Sequence, residues 1–159
     1  MLVTVKVSPD MPLGVQVLAT RGVPRRIIGH EFVALPEAQF VADDSGGTLV
    51  AFGSCGLRGV ICLDPSDGSV VHVPSPSAPE RHPVNSSIEK FIESSAAVIQ
   101  RFPFYCDDDN SDQWETVAGE LATTLGDIDS ATALHNSFWV TFLDDVRMGD
   151  YSTTMIVDE

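Results

Sequence analysis

The first half of the chain carries short runs in which apolar and polar residues alternate, the pattern of half-buried strands. Residues 1–7 alternate in this way and predict a strand, which Ser8-Pro9-Asp10 breaks. Pro12 suits the first turn of a short helix that Gly22 would close. Residues 27–35 are mixed and predict a strand with one face formed by His30, Phe32 and Ala34.

The centre of the chain predicts an antiparallel meander of three strands, over residues 49–52, 60–63 and 69–73. A Ser-Gly-Gly turn at residues 45–47 precedes the first of them. Between the second and third strands, Asp64-Pro65-Ser66-Asp67-Gly68 strongly predicts a hairpin turn, because proline presets one turn angle and glycine accepts a positive φ.

Residues 74–83 contain four prolines and predict a loop that leads from the sheet to a helix. Ser86 and Glu89 have the spacing of a capping box at the start of that helix, with Asn85 as the competing cap residue. Pro103 ends the helix. Its apolar stripe, at steps of three and four residues, consists of Ile88, Phe91, Ile92, Ala96, Ile99 and Phe102.

Two further amphipathic helices follow an acidic run at residues 107–112. The first should end at Gly126, and its apolar face consists of Trp114, Val117, Ala118, Leu121, Ala122 and Leu125. The second begins with Asn136 or Ser137 as its cap and ends at Gly149. It should bury Trp139, Phe142, Leu143 and Val146, and a short strand over residues 153–157 follows.

Strands come first and helices later, which is the order of an α+β fold. We therefore expect an antiparallel β-sheet meander with helices packed on one face. The 159 residues show no internal repeat and no long linker, so residues 1–159 are expected to form a single domain. The hydrophobic content of 43% is that of a chain that folds rather than of a disordered acidic tail.

The apolar runs are too short to span a bilayer, and the first residues lack the pattern of a signal peptide. These features predict a cytoplasmic protein without membrane contact. The three cysteines, Cys55, Cys62 and Cys106, have neither paired nor metal-binding spacing and are expected to be buried free thiols.

The formal net charge of −14 is concentrated in the last third of the chain. After residue 106 there are thirteen acidic residues and one basic residue, Arg147. Such a skew is compatible with a solvated acidic surface, and also with a surface shaped to meet a basic partner. Direct binding of nucleic acid is disfavoured, because a phosphate backbone is held by a basic patch.

None of the candidate chemical motifs is complete. The glycine-rich residues 53–59 lack the GK[ST] ending of a phosphate loop and lead into a strand, so a hairpin or bulge connection is favoured there. Asp108, Asn110 and Asp112 have the spacing of a calcium loop, but Gln113 and Gly119 occupy the positions that need glycine and glutamate. No nucleophile signature is present, and nothing places two carboxylates in an apolar cleft. We therefore predict no catalytic site, no metal site and no cofactor.

Several short motifs in one order resemble the SUKH superfamily, which has an SMI1/KNR4-like fold, and in particular its SUKH-4 group, common in actinobacteria. The resemblance spans residues 18–151. It rests on Gly22-Val23-Pro24, on Ile61-Cys62-Leu63-Asp64-Pro65 with Gly68, on Val84-Asn85-Ser86-Ser87 opening a helix, and on Ser137-Phe138-Trp139 before Gly149.

The resemblance implies a non-enzymatic immunity protein that neutralises a cognate toxin of a bacterial polymorphic toxin system, often a nuclease and therefore basic. A non-catalytic scaffold module of the same fold, serving a cellular partner, is the alternative. A monomer is favoured. The family carries no fixed catalytic residues. The charge skew instead places the expected protein-binding residues in the acidic third, as two separate groups that the sequence does not assign to one face: Asp107, Asp108, Asp109, Asp112 and Glu115, and Asp144, Asp145 and Asp150.

Overall fold

A computed structural model describes residues 1–28, 31–75, 77, 80–106 and 108–151. Asp107, His30 and the predicted strand over residues 153–157 lie outside these ranges. Within them, no helix combines the length and the apolar character needed to cross a membrane.

The strands form one antiparallel six-stranded meander and a separate two-stranded pair, and the expected α+β architecture is confirmed. The pair joins β1 to β2, and the six-stranded sheet has the order β3-β4-β5-β6-β7-β8. The strands are β1 (Leu2–Val3), β2 (Val23–Pro24), β3 (Arg26–Ile27), β4 (Phe32–Ala42), β5 (Thr48–Cys55), β6 (Gly59–Leu63), β7 (Val70–Val73) and β8 (His82–Asn85).

The helices follow the order expected from the sequence. They are α1 (Val17–Thr20), α2 (Ile88–Arg101), α3 (Ser111–Ile128) and α4 (Phe138–Arg147), with 3-10 turns over Leu13–Gln16 and Ser130–Ala133. The short amino-terminal helix begins after Pro12, as predicted, and Gly22 follows it with a φ of 82°.

The hairpin at residues 64–68 forms where its residues predict it. The Gly68 N–H donates to the Asp64 carbonyl over 2.8 Å, and Gly68 has a φ of 79°. The Asp64 carboxylate accepts the Ser66 N–H at 2.9 Å. The turn brings Leu63 opposite Val70 and so sets the register of β6 against β7.

Three predictions about where strands begin and end were wrong. The strand over residues 1–7 is reduced to β1, and Lys6 makes only an isolated bridge to Glu37. The glycine-rich segment 53–59 is the hairpin connection that the sequence favours, but the strands take up more of it than predicted, because β5 runs through to Cys55 and β6 begins at Gly59 opposite it. The loop ends earlier than Pro83, since β8 pairs with β7 and places His82 opposite His72.

The main core lies between the sheet and the helices. Phe91 packs edge to face against Phe32 and Phe52 at its centre, and the three ring centroids lie 5.2–5.9 Å apart. A Cβ on Gly53 would lie 2.0 Å from the Phe32 ring, so the aromatic cluster requires glycine at that position. A smaller buried cluster on the other sheet face contains Leu49, Ala51, Cys62, Val71 and Val73.

Helix α2 begins one residue later than predicted. Ser87 is its N-cap, and the Ser87 hydroxyl accepts the Lys90 N–H at 3.2 Å; the proposed capping box of Ser86 with Glu89 is wrong. The buried face is also rotated, because Ser94, Ser95 and Val98 are buried whereas Ala96 is exposed and Ile99 is 42% exposed. The short side chains of Ser94 and Ser95 fit where α2 lies close to its neighbours. A pattern of apolar residues alone therefore misplaces the buried face of this helix.

Helices α3 and α4 bury most of the predicted residues, including Val117, Leu121 and Trp139. The prediction that Gly126 ends α3 was wrong, because the helix continues to Ile128. Ser137 is the cap of α4, as one of the two predictions had it, and its hydroxyl accepts the Val140 N–H at 3.0 Å.

Asn85 joins the sheet to the helices through its side chain instead of capping α2. Its amide donates to the Asp129 carboxylate at 3.0 Å and to the Ser94 hydroxyl at 3.1 Å, and it accepts the Trp139 indole N–H at 3.0 Å. Asp129 also accepts the Ser86 N–H at 2.8 Å. This buried junction, formed by Asn85, Asp129 and Trp139 with the Ser86 backbone, connects β8 to all three long helices and fixes their relative positions.

Candidate functional site

The loop after α2 is tied down by local hydrogen bonds before α3 begins. The Asp109 carboxylate accepts the Cys106 N–H at 2.6 Å. Asn110 caps α3 in a reciprocal capping box with Gln113, whose side chain accepts the Asn110 N–H at 3.2 Å. Asp112 lies in the first turn of α3, where the helix dipole favours a carboxylate. Two residues of the apparent calcium loop, Asn110 and Asp112, therefore stabilise the amino-terminal end of α3.

The end of α4 packs against the start of α3. Gly149 follows α4 with a φ of 79°, and a Cβ at this position would lie 2.9 Å from the Trp114 ring. Tyr105 stacks against Trp114 with ring centroids 5.9 Å apart, and its hydroxyl accepts the Tyr151 N–H at 3.0 Å. These aromatic contacts gather the loop and the two helix ends.

Arg147 connects the two groups of acids that the sequence left separate. Its guanidinium lies 3.3 Å from Glu115 on α3 and 2.9 Å from Asp144 on α4. Glu115 and Asp144 are 68% and 60% exposed in their side chains, so these pairs add little to stability. Their consequence is geometric: the start of α3 and the end of α4, each of which carries acids of one group, form one surface.

We call this surface the acidic end, and it consists of Asp108, Asp109, Asp112, Glu115, Asp144, Asp145 and Asp150. Asp109 and Asp145 are half-buried, and the other five are exposed. Asp107, the remaining predicted residue, lies outside the described ranges.

Glu31 is a further acid of this region, and sequence analysis missed it. The Tyr151 hydroxyl donates a hydrogen bond to its carboxylate, across a separation of 120 residues. No local motif marks Glu31, because the contact exists only once β4 and the end of α4 are packed. Burial, followed by the charges of Glu31, Asp150 and Asp144, raises the pKa of Asp145 above its ordinary value. The acids of this region therefore repel one another.

A hollow of about 210 Å³ opens between the sheet and α4 beside this cluster. Its lining consists of Glu31, Cys55, His72, Pro74, His82, Phe138, Thr141 and Phe142. Burial, and then the neighbouring His82, lower the pKa of His72 to about 4. Burial, and then Glu31, raise the pKa of Cys55 to about 12. At pH 7 the imidazole and the thiol are both neutral, and a protonated thiol is a weak nucleophile.

The thiols follow the sequence prediction only in part. All three cysteines are free, but Cys106 is exposed and Cys55 is half-buried, so only Cys62 is buried as expected. In the part of the chain that the structure describes, no group of three or more His, Cys, Asp or Glu side chains is placed to hold a metal ion.

Comparison with known families matches residues 12–145 to the model described as SUKH-4 immunity protein. No curated protein and no solved structure matches the chain. The matched segment runs from the first helical turn into α4, ending two residues before that helix does, and so covers the six-stranded sheet, the buried junction and most of the acidic end. The chain belongs to the SUKH-4 immunity protein family.

Proposed function

We propose that this immunity protein binds one cognate toxin, a basic nuclease of a bacterial polymorphic toxin system, through the acidic end. The observation that supports this most directly is the meeting of α3 and α4 at Arg147, whose guanidinium is paired with one acid of each helix, Glu115 and Asp144. A nuclease needs basic side chains to hold phosphates, so its substrate-binding surface is the one that an acidic protein can cover.

The protein neutralises the toxin by occupancy, in the cytoplasm, as a monomer and without chemistry of its own. The exposed acids speed the encounter, because opposite potentials steer association. Aromatic and apolar groups that become buried at the centre of the contact determine how long the complex lasts.

The first test is neutralisation in cells. The toxin encoded beside this gene is expressed alone and together with the protein, and cell growth and co-purification are measured. Growth rescue with recovery of a complex supports the proposal. A neighbouring gene product that neither binds the protein nor is inhibited by it contradicts the immunity role for that pair.

The second test concerns the acidic end. The double variants Asp108→Lys/Asp112→Lys and Asp145→Lys/Asp150→Lys should each slow association with the toxin at low salt by about tenfold, and the difference should shrink at high salt. Asp109 is left intact because its carboxylate holds the Cys106 N–H.

The matched control is Asp10→Lys/Asp127→Lys, which makes the same change in net charge at exposed positions elsewhere. Asp127 lies about 22 Å from Asp112 along α3, more than two Debye lengths at physiological salt, so the control is compared with the two test variants at that salt concentration. If the control slows association as much as the two test variants do, steering depends on net charge and the acidic end has no special part.

A further inference from the structure

The hollow beside Glu31 has the size for one side chain. Pockets for cofactors and drug-sized ligands occupy about 300–1,000 Å³, and this hollow measures about 210 Å³. Interfaces often place a single long side chain of one partner in a small pocket of the other, and such anchors contribute much of the affinity.

The walls of the hollow are mainly apolar. Phe138 and Phe142 of α4 are 4% and 1% exposed, and Pro74 completes this side. The His72 ring packs edge-on against Phe138, with ring centroids 5.9 Å apart. Walls of this kind suit the methylene stem of a long side chain, and the two phenylalanine rings can also attract a cation.

The acidic side chain of the hollow, Glu31, favours a positive charge, while the His82 imidazole lies 3.4 Å from the carboxylate of Glu80. The imidazole of His72 and the thiol of Cys55 are neutral at pH 7, while Glu31 contributes a carboxylate. The Tyr151 hydroxyl donates to Glu31 but brings no charge. Asp145, whose own ionisation Glu31 disfavours, adds a second carboxylate close by.

The hollow also opens towards the acidic end. Thr141 is exposed on its lining, and Asp144 and Asp145 follow three and four residues later on the same face of α4. A basic protein drawn to the acidic end would therefore meet the hollow with the same surface.

The geometry points to an anchor site: the hollow receives one lysine or arginine side chain of the toxin, with its stem against the apolar wall that Phe138 and Phe142 line and its cation at Glu31. This inference rests on the proposed function and adds the chemical nature of the anchor and its place. The steering acids set the association rate, whereas the anchor sets the dissociation rate.

Thr141→Tyr tests the inference by filling the mouth of the hollow without changing a charge. The matched control is Thr123→Tyr on α3, because both threonines are exposed and direct their hydroxyls to the carbonyl four residues earlier. Thr141→Tyr should raise the dissociation rate of the complex with the catalytically inactivated neighbouring toxin about tenfold, and Thr123→Tyr should leave it unchanged.

Glu31→Gln tests the charge while keeping an acceptor for the Tyr151 hydroxyl. It should raise the dissociation rate about fivefold. Replacing the basic residues of the toxin by Met one at a time should identify one whose loss matters to the parent protein and no longer matters to Thr141→Tyr. Urea unfolding of each variant verifies that it is folded.

The outcomes separate the two proposals. If the parent protein does not bind the toxin, the proposed function fails, and the anchor fails with it. If the parent binds and both Thr141→Tyr and Glu31→Gln dissociate at the parent rate, the anchor is wrong and the proposed function stands. If only Thr141→Tyr dissociates faster, the occupant is apolar and the inferred cation is wrong.

Discussion

Asp129 and Asp145 belong to the same acid-rich third of the chain, yet the fold gives their carboxylates opposite environments. Burial alone would raise the pKa of Asp129, but hydrogen bonds from the Ser86 backbone, the Asn85 side chain and the Ala131 backbone outweigh it and hold that pKa below its ordinary value. Asp145 is also partly buried, but its charged neighbours are carboxylates, and its pKa is raised.

The difference shows that one residue type has two roles in this protein. At the buried junction, donors are aimed at the carboxylate of Asp129, so its charge stabilises the fold. At the acidic end, repulsion among the carboxylates opposes folding slightly and is relieved when a cation approaches. A negative charge that the fold does not compensate is available to a partner.

The largest expected effect comes from removing the junction acid. Asp129→Ala should lower the free energy of unfolding by about 3 kcal/mol, because it leaves the buried Asn85 amide and the Ser86 N–H without their acceptor. Urea unfolding measures this as a lower midpoint with an unchanged slope. The control, Asp127→Ala, removes an exposed acid two residues away and should change the free energy by less than about 0.5 kcal/mol. If the two variants lower the free energy of unfolding equally, the carboxylate of Asp129 stabilises the fold no more than an exposed carboxylate does.

The second prediction concerns the pKa of His72, which lines the hollow together with Glu31, Cys55 and His82. We expect burial to affect this pKa more than the neighbouring charges do. The folded state holds the pKa of His72 at about 4, against 6.5 in the unfolded chain, so the unfolded state takes up the proton first as pH falls. Above pH 6.5 the contribution of His72 to the free energy of unfolding is therefore fully present. It is lost as pH falls towards 4, by about 2 kcal/mol after allowance for partial exposure.

The measurement is urea unfolding at a series of pH values between those two limits. His72→Gln cannot take up this proton, so its stability should vary less over the same range. If the variant loses stability as steeply as the parent, other groups cause the acid sensitivity and His72 is not held neutral by burial.

The smallest effect is expected at the acidic end. Asp145→Asn should raise the free energy of unfolding by about 0.5 kcal/mol at low salt and neutral pH, because it removes one carboxylate from a repelling cluster. The sign follows from the pKa: a raised folded pKa means that the folded state takes up the proton first, so this site gains stability as pH falls through that pKa. Thermal unfolding at low and high salt measures the gain. A loss of stability in Asp145→Asn would show that the fold needs this charge.

The hairpin at residues 64–68, the short helix after Pro12 and the cap of α4 at Ser137 could be predicted because each depends on residues adjacent in sequence. Strand β8 could not, since its pairing with β7 overrides the turn propensity of the prolines before it. The sequence predicts Asn85 as a competing helix cap, because asparagine favours that local role. Its actual partners, Asp129 and Trp139, are distant in sequence and could not be predicted.

The residues of the candidate site also divide into those that the sequence indicates and those that only the packing brings together. The sequence shows the excess of acids in the loop, α3 and α4, but the meeting of Glu115 with Asp144 at Arg147 depends on how α3 packs against α4. Glu31 carried no signal at all, since only its contact with Tyr151 brings it to this surface. Whether these residues bind a partner remains the prediction that the charge-reversal variants test.

The sequence by itself determined the order of strands and helices, the position of the central hairpin, the family resemblance and the excess of negative charge, because periodicity, turn chemistry and charge are properties of neighbouring residues. Only the tertiary structure decided which acids are neutralised inside the fold and which are left facing one another. The electrostatic environment of a carboxylate depends on donors and charges within a few ångströms, and in this protein those groups come from segments far apart in the chain.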